Sequence, residues 1–379
     1  MKTVKHLFVV LLITWALAEG AVRLFIVRNG HAEYFAGKAW RYMLPIKYDL
    51  ASGDFDPPSN KGYRVYDSLL GWSHGSWQKD DSLYYSDSLG FRCSKARFEQ
   101  KLPAPARYDI VCIGNSFTHG DAVAYEDTWT HILAQQTGKS VLNMGVGGYG
   151  IDQAILRFMH RRPACDTVIL GMVSNDLDRS LTSVYNYFQG GIKTKPKFKF
   201  SDSGYTVINQ PCLTPTEFVQ RPASQKAIEV YKEIDGYNDY LVKETKWWAN
   251  LQSMRLLFSS IEQMKHRKPS AYLSDDDRLQ YCVSILDVFA KYCAQEGITP
   301  VVMFIDNVNS INDREKAGKN TWALLASKLD SIGLKHMECQ DEAKARYRQR
   351  PSDLIHPVEQ VHYSPAGHRF LADFIQKRL

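Results

Sequence analysis

The chain has 379 residues, of which 44% are hydrophobic and 12% aromatic, enough apolar material for one large or two modest globular domains. Its net charge of +6, with a pI near 8.8, is spread thinly along the sequence. No stretch of lysine and arginine is dense enough for a nucleic-acid interface, so we expect no nucleic-acid partner.

An apolar run over residues 7–18 follows two lysines at the amino terminus. Small residues at its end permit cleavage after Ala18, as in a signal peptide. Hydrophobicity resumes after Glu19, and a helix over about residues 7–27 has roughly the 20 residues needed to cross a bilayer. Glu19 and Arg23 are spaced to pair on one helix face, which lowers the cost of both charges. We therefore favour a retained membrane anchor, and either alternative exports the rest of the chain.

Three regions follow from these patterns: a signal peptide or membrane anchor (1–28), a lead-in or stalk that packs on the main domain (29–105), and a catalytic domain (106–379) with an insertion at about 178–270. The lead-in is rich in Tyr, Ser, Asp and Gly and shows little periodicity. From residue 107 onwards, predicted strands alternate with predicted helices. This alternation indicates a mostly parallel sheet covered on both faces.

The main-domain elements can be placed individually. The predicted strands are 110–113, 140–143, 167–173, 300–305 and 335–337. Predicted helices include one that closes at Gly138, a long one capped by Ser274 and ended by Gly297, and a last one with Ser364 as N-cap and Pro365 in its first turn. Within the insertion, 193–200 and 205–208 predict a β-hairpin, and the region with Trp247 and Trp248 is expected to be helical.

The seven cysteines suggest no disulfide scaffold. Cys112 falls in a predicted buried strand, and Cys282 and Cys293 lie about 16 Å apart along one predicted helix, too far to bridge. The sequence is compatible with one incidental disulfide.

Polar residues stand where several predicted strands end and in one late loop. Because the carboxyl ends of parallel strands share one edge of a sheet, we expect these residues to converge. A serine nucleophile needs a base within hydrogen-bond reach and donors preset for an oxyanion. Ser116 could be the nucleophile and His362 the base, with Glu359, three residues earlier, fixing its tautomer. The N–H groups of Ser116 and Gly148 and the amide of Asn175 could be the oxyanion donors.

Four segments, in this order, resemble the conserved blocks of the SGNH (GDSL-type) hydrolases. They are Gly114-Asn-Ser-Phe-Thr-His-Gly120, Asn143-Met-Gly-Val-Gly-Gly148, Ser174-Asn-Asp176 and Glu359-Gln-Val-His362, the last followed by Tyr-Ser-Pro-Ala-Gly-His368. In the lead-in, Leu70-Gly-Trp72 and Ser88-Leu-Gly-Phe-Arg92 resemble segments of exported bacterial members that have an amino-terminal membrane helix. The resemblance implies a three-layer α/β/α sandwich with a flavodoxin-like, mostly parallel sheet.

The resemblance also implies the site assignments: Ser116, His362 and Glu359 as the catalytic triad, with Ser116, Gly148 and Asn175 forming the oxyanion hole. Two residues depart from the family pattern. Asn115 stands where the family usually has Asp, and Glu359 is one methylene longer than the usual Asp. Asp353 and His356 repeat the acid-x-x-His spacing just upstream, but only His362 is followed at once by the helix N-cap signature.

The function that the resemblance implies is a serine-dependent acyl-ester hydrolase that acts outside the cytoplasm. Its substrate would be an O-acylated (O-acetylated) glycan or a similar ester. The alternatives are an O-acyltransferase using the same triad and a non-catalytic binding or assembly protein with this fold. No cofactor is expected. The six-residue gaps between His356, His362 and His368 match no common zinc spacing, so no metal is expected either. His119 and His368 are predicted to be structural or solvent-facing.

Overall fold

A computed structural model of the chain describes residues 2–29, 32–35, 38–39, 62–80, 83–185, 193–214, 217, 251–265 and 271–379. Two compact units make up the chain. The first comprises 1–52, 183–194 and 215–268, and the second comprises 53–182, 195–214 and 269–379. The three regions predicted from the sequence, with their boundaries, stay predictions.

The described helices are α1 (Lys2–Phe25), α2 (Lys95–Gln100), α3 (Ser116–His119), α4 (Trp129–Thr137), α5 (Ile151–Arg161), α6 (Asp176–Ser180), α7 (Gln252–Lys265), α8 (Asp277–Glu296), α9 (Val308–Ala317), α10 (Ala323–Ser331), α11 (Gln340–Gln349) and α12 (Pro365–Gln376). The described strands are β1 (Ile26–Asn29), β2 (Ala32–Phe35), β3 (Lys38–Ala39), β4 (Arg64–Asp67), β5 (Gly71–His74), β6 (Lys79–Asp80), β7 (Tyr84–Ser86), β8 (Arg92–Cys93), β9 (Tyr108–Gly114), β10 (Val141–Asn143), β11 (Cys165–Met172), β12 (Val184–Tyr185), β13 (Lys193–Thr194), β14 (Lys197–Ser201), β15 (Gly204–Ile208), β16 (Thr299–Phe304) and β17 (His336–Glu338).

The first unit contains the amino-terminal helix α1. Its segment Val4–Phe25 is long and apolar enough to cross a membrane, and none of it is buried. The predicted pairing of Glu19 with Arg23 is confirmed at 2.7 Å. The same carboxylate accepts the N–H groups of Gln252 and Ser253 at 2.9 and 2.8 Å and thereby caps the start of α7. This unit also contains the antiparallel strands β1–β3 and the pair β12–β13.

The second unit is built on an eight-stranded sheet of order β17-β16-β11-β9-β10-β8-β7-β6. The first five strands of this order run parallel, and the other three are antiparallel. Counting only the parallel strands in chain order gives 2-1-3-4-5, the flavodoxin-like order, whose switch point lies between β9 and β11. The antiparallel strands come from the predicted lead-in. The predicted α/β fold with a mostly parallel sheet and a preceding apolar helix is confirmed.

Both faces of this sheet are covered because the strand residues are apolar on both sides. Ile110 and Cys112 of β9 belong to a buried cluster with residues of α4 and α12. Val111 and Ile113 point to the opposite face, where α5 packs against β9 and α8 against β16. All four side chains are buried. The parallel part of the sheet therefore lies in the middle of a three-layer α/β/α sandwich.

Several predicted details can be compared with the structure directly. The hairpin is confirmed as β14–β15, and Gly138, Gly297 and Ser364 occupy the predicted cap positions. The predicted cap of α8 at Ser274 is wrong, because the Asp276 carboxylate accepts the first free N–H groups of that helix instead. All seven cysteines are free and buried. Trp247 and Trp248 lie outside the described residues.

An ion pair without solvent contact joins α5 to the segment just before β14. Lys195 Nζ donates to Asp152 at 2.5 Å, and both side chains are 0% exposed. The remaining ammonium hydrogens go to the carbonyl oxygens of Thr182 and Pro196, each at 3.0 Å. Asp152 also accepts the hydroxyl of Ser180. Because every hydrogen-bonding group of this pair is used, its two charges stabilise each other in a dry environment.

Replacing Lys195 by Met should therefore leave Asp152 as a buried, unpaired charge and lower the free energy of unfolding by about 3–5 kcal/mol. The matched control is Lys291→Met, which breaks an exposed pair with Asp287 on one helix face and should cost less than about 1 kcal/mol. Guanidinium denaturation of both variants, followed by tryptophan fluorescence, measures the difference. Equal losses in the two variants would contradict a structural role for the buried pair.

Candidate active site

The chain leaves the sheet through a sharp turn at the carboxyl end of β9. Gly114 has φ +148°, and a Cβ there would lie 2.5 Å from the carbonyl oxygen of Gly171 on the neighbouring strand. Only glycine fits this close approach. Asn115 then caps the single-turn helix α3 by accepting the N–H of Phe117 at 2.7 Å. Ser116 is thereby placed in the first position of α3, at the switch point of the sheet.

The structure brings Ser116, His362 and Glu359 into one hydrogen-bonded line. His362 Nε2 lies 2.8 Å from Ser116 Oγ, and His362 Nδ1 lies 2.5 Å from Glu359 Oε1. An Nδ1–H that donates to the carboxylate leaves the Nε2 lone pair free to accept the serine hydroxyl. The His362 ring also packs against Phe117, with 5.2 Å between ring centroids. The geometry is that of a nucleophile, a base and a group that orients the base.

The alternative acid and histidine are engaged elsewhere. Asp353 pairs with Arg350 at 2.6 Å. His356 Nδ1 accepts the N–H of Glu359 at 3.3 Å, so this ring supports the loop that carries the other acid. Of the two acid-x-x-His segments, only Glu359 and His362 are in line with the serine.

The loop after β10, which contains Gly148, lies against the end of β9. The N–H of Val146 donates to the Gly114 carbonyl at 3.0 Å. A Cβ on Gly145 would lie 2.2 Å from the backbone nitrogen of His119, so the loop follows α3 more closely than any other residue would allow. The Trp72 indole, from β5, holds the carbonyl of Gly147 at 3.0 Å.

The three groups that the sequence predicts as oxyanion donors lie after the ends of β9, β10 and β11. In the described part of the chain, the structure assigns no acceptor to the N–H of Ser116 or to that of Gly148. Asn175, directly after β11, uses Oδ1 to accept from Ser174 and Asn309 at 3.4 and 3.2 Å. Its Nδ2 hydrogens therefore have no described acceptor and are left as donors.

Asn115, which stands where the resembled pattern usually has Asp, has an acidic partner. Its Nδ2 donates to Asp176 Oδ2 at 2.5 Å, and both residues are buried. Asp176 also accepts the N–H of Val173 and the guanidinium of Arg179. Burial nevertheless raises the pKa of Asp176 to about 6. A carboxylate at position 115 would face this buried carboxylate, whereas the amide donates to it.

A second polar cluster adjoins Ser116 and was not predicted. The N–H of Asp121 donates to the Ser116 carbonyl at 3.0 Å. The Asp121 carboxylate accepts Nδ1–H of the buried His119, whose Nε2 accepts the Tyr63 hydroxyl at 2.7 Å. His119 is thus structural, as predicted. Burial, together with the charge of Arg92, lowers the pKa of His119 to about 4, which leaves the ring neutral at pH 7. His368 is buried too, and it accepts the N–H of Trp129.

Arg64 completes this cluster from β4. Its Nη2 lies 3.7 Å from Asp121 Oδ2 and 3.4 Å from the Cβ position of Gly147. Asp121 could have been noticed from its position five residues after the serine, but nothing in the irregular lead-in marks Arg64. Among the described residues, no group of three or more His, Cys, Asp or Glu side chains is placed to hold a metal ion.

No protein-family model matches the chain, and no curated protein matches it. Solved structures with a similar fold include a member of the lipolytic G-D-S-L family from Veillonella parvula (11% identity, 71% of this chain and 96% of that chain, TM-score 0.36). Another is a catalytic mutant of an acetylxylan esterase from Geobacillus stearothermophilus (12% identity, 73% of this chain and 95% of that chain, TM-score 0.37). A third is a lipase/acylhydrolase from Enterococcus faecalis (9% identity, 71% of this chain and 94% of that chain, TM-score 0.36).

Asn115→Asp should place two carboxyl groups in contact, so that one must stay protonated in the folded protein. The folded state then binds more protons than the unfolded state, and its stability falls as pH rises. We expect the decrease in the free energy of unfolding, relative to wild type, to be at least about 2 kcal/mol larger at pH 8 than at pH 5. Chemical denaturation at both pH values measures it.

Asn320→Asp is the matched control for this substitution. Asn320 likewise accepts an N–H two residues on, at 2.8 Å, and donates to a carboxylate, that of Glu338, at 3.0 Å, but on an exposed surface. The free energy of unfolding that Asn320→Asp loses should change little with pH, because solvent screens the two charges. The same pH dependence in both variants would refute the assignment.

Proposed function

We propose that this protein is a serine-dependent ester hydrolase of the SGNH type. One observation carries the proposal: Ser116 Oγ, the His362 ring and the Glu359 carboxylate form a continuous hydrogen-bonded line at the switch point of the sheet. The conserved-block resemblance of the sequence points to the same residues. The alternative of a non-catalytic protein would be favoured by a histidine out of reach of the serine, whereas these atoms are 2.8 Å apart.

Each group has a defined step in this mechanism. Ser116 Oγ attacks the ester carbonyl carbon while His362 Nε2 takes the hydroxyl proton. The oxyanion that forms is stabilised by the N–H groups of Ser116 and Gly148 and by the Asn175 amide. His362 then gives its proton to the leaving alcohol. Water then attacks the acyl-enzyme carbonyl while His362 Nε2 takes its proton. His362 returns this proton to Ser116 Oγ, and the carboxylic acid is released. If a sugar hydroxyl replaced this water, the same groups would perform O-acyl transfer.

We place this activity outside the cytoplasm, on the extracytoplasmic face of the membrane. The support is α1, whose segment Val4–Phe25 has the length and composition of a membrane span. A retained anchor would keep the ester-hydrolysing unit close to the cell envelope, where O-acylated glycans occur as substrates. The glycan, the acyl group and the retention of α1 beyond Ala18 remain predictions.

Ser116→Ala should abolish ester hydrolysis because no other group replaces the nucleophile. We expect kcat/KM for an aryl acetate to fall by at least about 10³-fold, measured spectrophotometrically with the detergent-solubilised full chain. Ser284→Ala, which removes an exposed helix hydroxyl bonded to its own helix, serves as the control and should keep full activity. An inert wild-type protein, or an active Ser116→Ala variant, would contradict the proposal.

Glu359→Gln should lower kcat/KM by about 10²- to 10⁴-fold, because an amide cannot stabilise the imidazolium that forms on His362. Asp353→Asn is the control, since its sequence spacing is identical but its carboxylate pairs with Arg350. It should leave kcat/KM unchanged. If the Asp353 variant lost the activity and the Glu359 variant kept it, the acid would be assigned to the wrong segment.

A further inference from the structure

The guanidinium of Arg64 lies at the edge of the proposed oxyanion hole with few contacts of its own. Its nearest acidic partner is Asp121, at 3.7 Å, beyond a good hydrogen bond. The Arg64 side chain is 43% exposed, so it is available to a ligand. Nη2 lies 3.4 Å from the Cβ position of Gly147, and the three bonds from there to the backbone nitrogen of Gly148 put the guanidinium within about 8 Å of that N–H.

The charges around this position leave an excess of positive charge. Arg92 is buried beside the cluster, and its guanidinium donates to the carbonyl oxygens of Gly120 and Val123 at 3.0 and 2.6 Å. His119 is neutral at pH 7. The two guanidiniums are therefore opposed by one carboxylate, that of Asp121, which His119 already engages through a hydrogen bond. An anionic group of a substrate would meet a net positive charge here.

The backbone around Arg64 holds it in this position. β4 pairs with β5, and the register sets Arg64 opposite His74. Trp72 of β5 holds the loop after β10: its indole donates to the Gly147 carbonyl, and its own carbonyl accepts the Tyr149 hydroxyl at 2.5 Å. The β4–β5 hairpin and the loop over residues 144–150 are thus joined by side-chain hydrogen bonds, which hold the backbone from which Arg64 extends beside this loop.

We propose that Arg64 forms an anion subsite of the ester-hydrolysing centre, selecting substrates that carry a carboxylate or similar anion a few bonds from the reacting carbonyl. This inference rests on the proposed function. Because an anion at this distance could belong to the acyl group or to the alcohol, the shared chemistry is an anionic ester. A guanidinium at such a site binds a carboxylate through two parallel N–H donors.

The experiment compares anionic esters with neutral esters of the same shape. On the acyl side, 4-nitrophenyl succinate is compared with 4-nitrophenyl methyl succinate. On the alcohol side, 4-acetoxybenzoate is compared with 4-acetoxybenzamide. In Arg64→Gln, the ratio of kcat/KM for the anionic to the neutral ester should fall by roughly 10- to 100-fold on one of the two sides. The side that responds identifies which part of the substrate carries the anion.

Two further variants separate selectivity from a general effect. Arg64→Lys keeps the charge and should restore part of the ratio. Arg107→Gln removes the same charge from the opposite end of β9, about 23 Å away for a seven-residue strand, where Arg107 pairs with Asp166. It should leave both ratios unchanged. A ratio that stays within about twofold of wild type in Arg64→Gln on both sides, or one that falls equally in Arg107→Gln, would overturn the subsite.

A binding measurement keeps this test separate from the proposed function. Calorimetry with Ser116→Ala compares monomethyl succinate with dimethyl succinate, and then repeats the comparison in the Ser116→Ala, Arg64→Gln double variant. Preference for the anion, lost in the double variant, supports the subsite even if no ester is hydrolysed by wild type, an outcome that contradicts only the proposed function. Equal binding of the two probes to Ser116→Ala would overturn the subsite.

Discussion

The hydrogen bond between the Asn115 amide and the Asp176 carboxylate holds the ends of β9 and β11 together where the strand order reverses. The chain after β9 continues to α4 on one face of the sheet, and the chain after β11 leads to α8 on the other. This divergence opens the crevice in which such sheets carry their sites. A buried carboxylate at this point needs donors, so an amide in place of an acid at position 115 stabilises the junction on which Ser116 stands.

Glu359 is held by local hydrogen bonds instead of by burial. Its second oxygen accepts the backbone N–H of His362 at 2.8 Å, so one carboxylate binds both the main chain and the ring of the same residue. The loop is closed by an N–H of His356 that donates to the His362 carbonyl at 2.8 Å, and Gln360 turns it with φ +60°. These contacts accommodate the additional methylene of Glu. Because the carboxylate is 37% exposed, its hydrogen bond to the His362 ring depends on this turn being kept.

The sequence was most informative where local signals and sheet geometry agree. Buried apolar strands that end in polar residues could be placed, because the carboxyl ends of parallel strands share one edge. Helices α9 and α11 were missed, since each buries only two residues and shows no apolar stripe. Strands β6–β8 are two or three residues long, too short to show an alternation of apolar and polar side chains. Strand β8 pairs with β10 through one residue pair. Arg64 reaches the site only through such tertiary pairing, which no spacing in the sequence records.

The residues before β9 are therefore part of the site's construction. Strands from this region extend the main sheet, Trp72 binds the loop that contains Gly148, and Arg92 holds the carbonyl oxygens that follow α3. Each of these contacts restrains a loop beside Ser116 or Gly148, the residues that are proposed to supply the oxyanion N–H donors. Preset donors stabilise a transition state only if they do not have to move. The geometry at the end of β9 thus depends on a segment that carries no catalytic motif of its own.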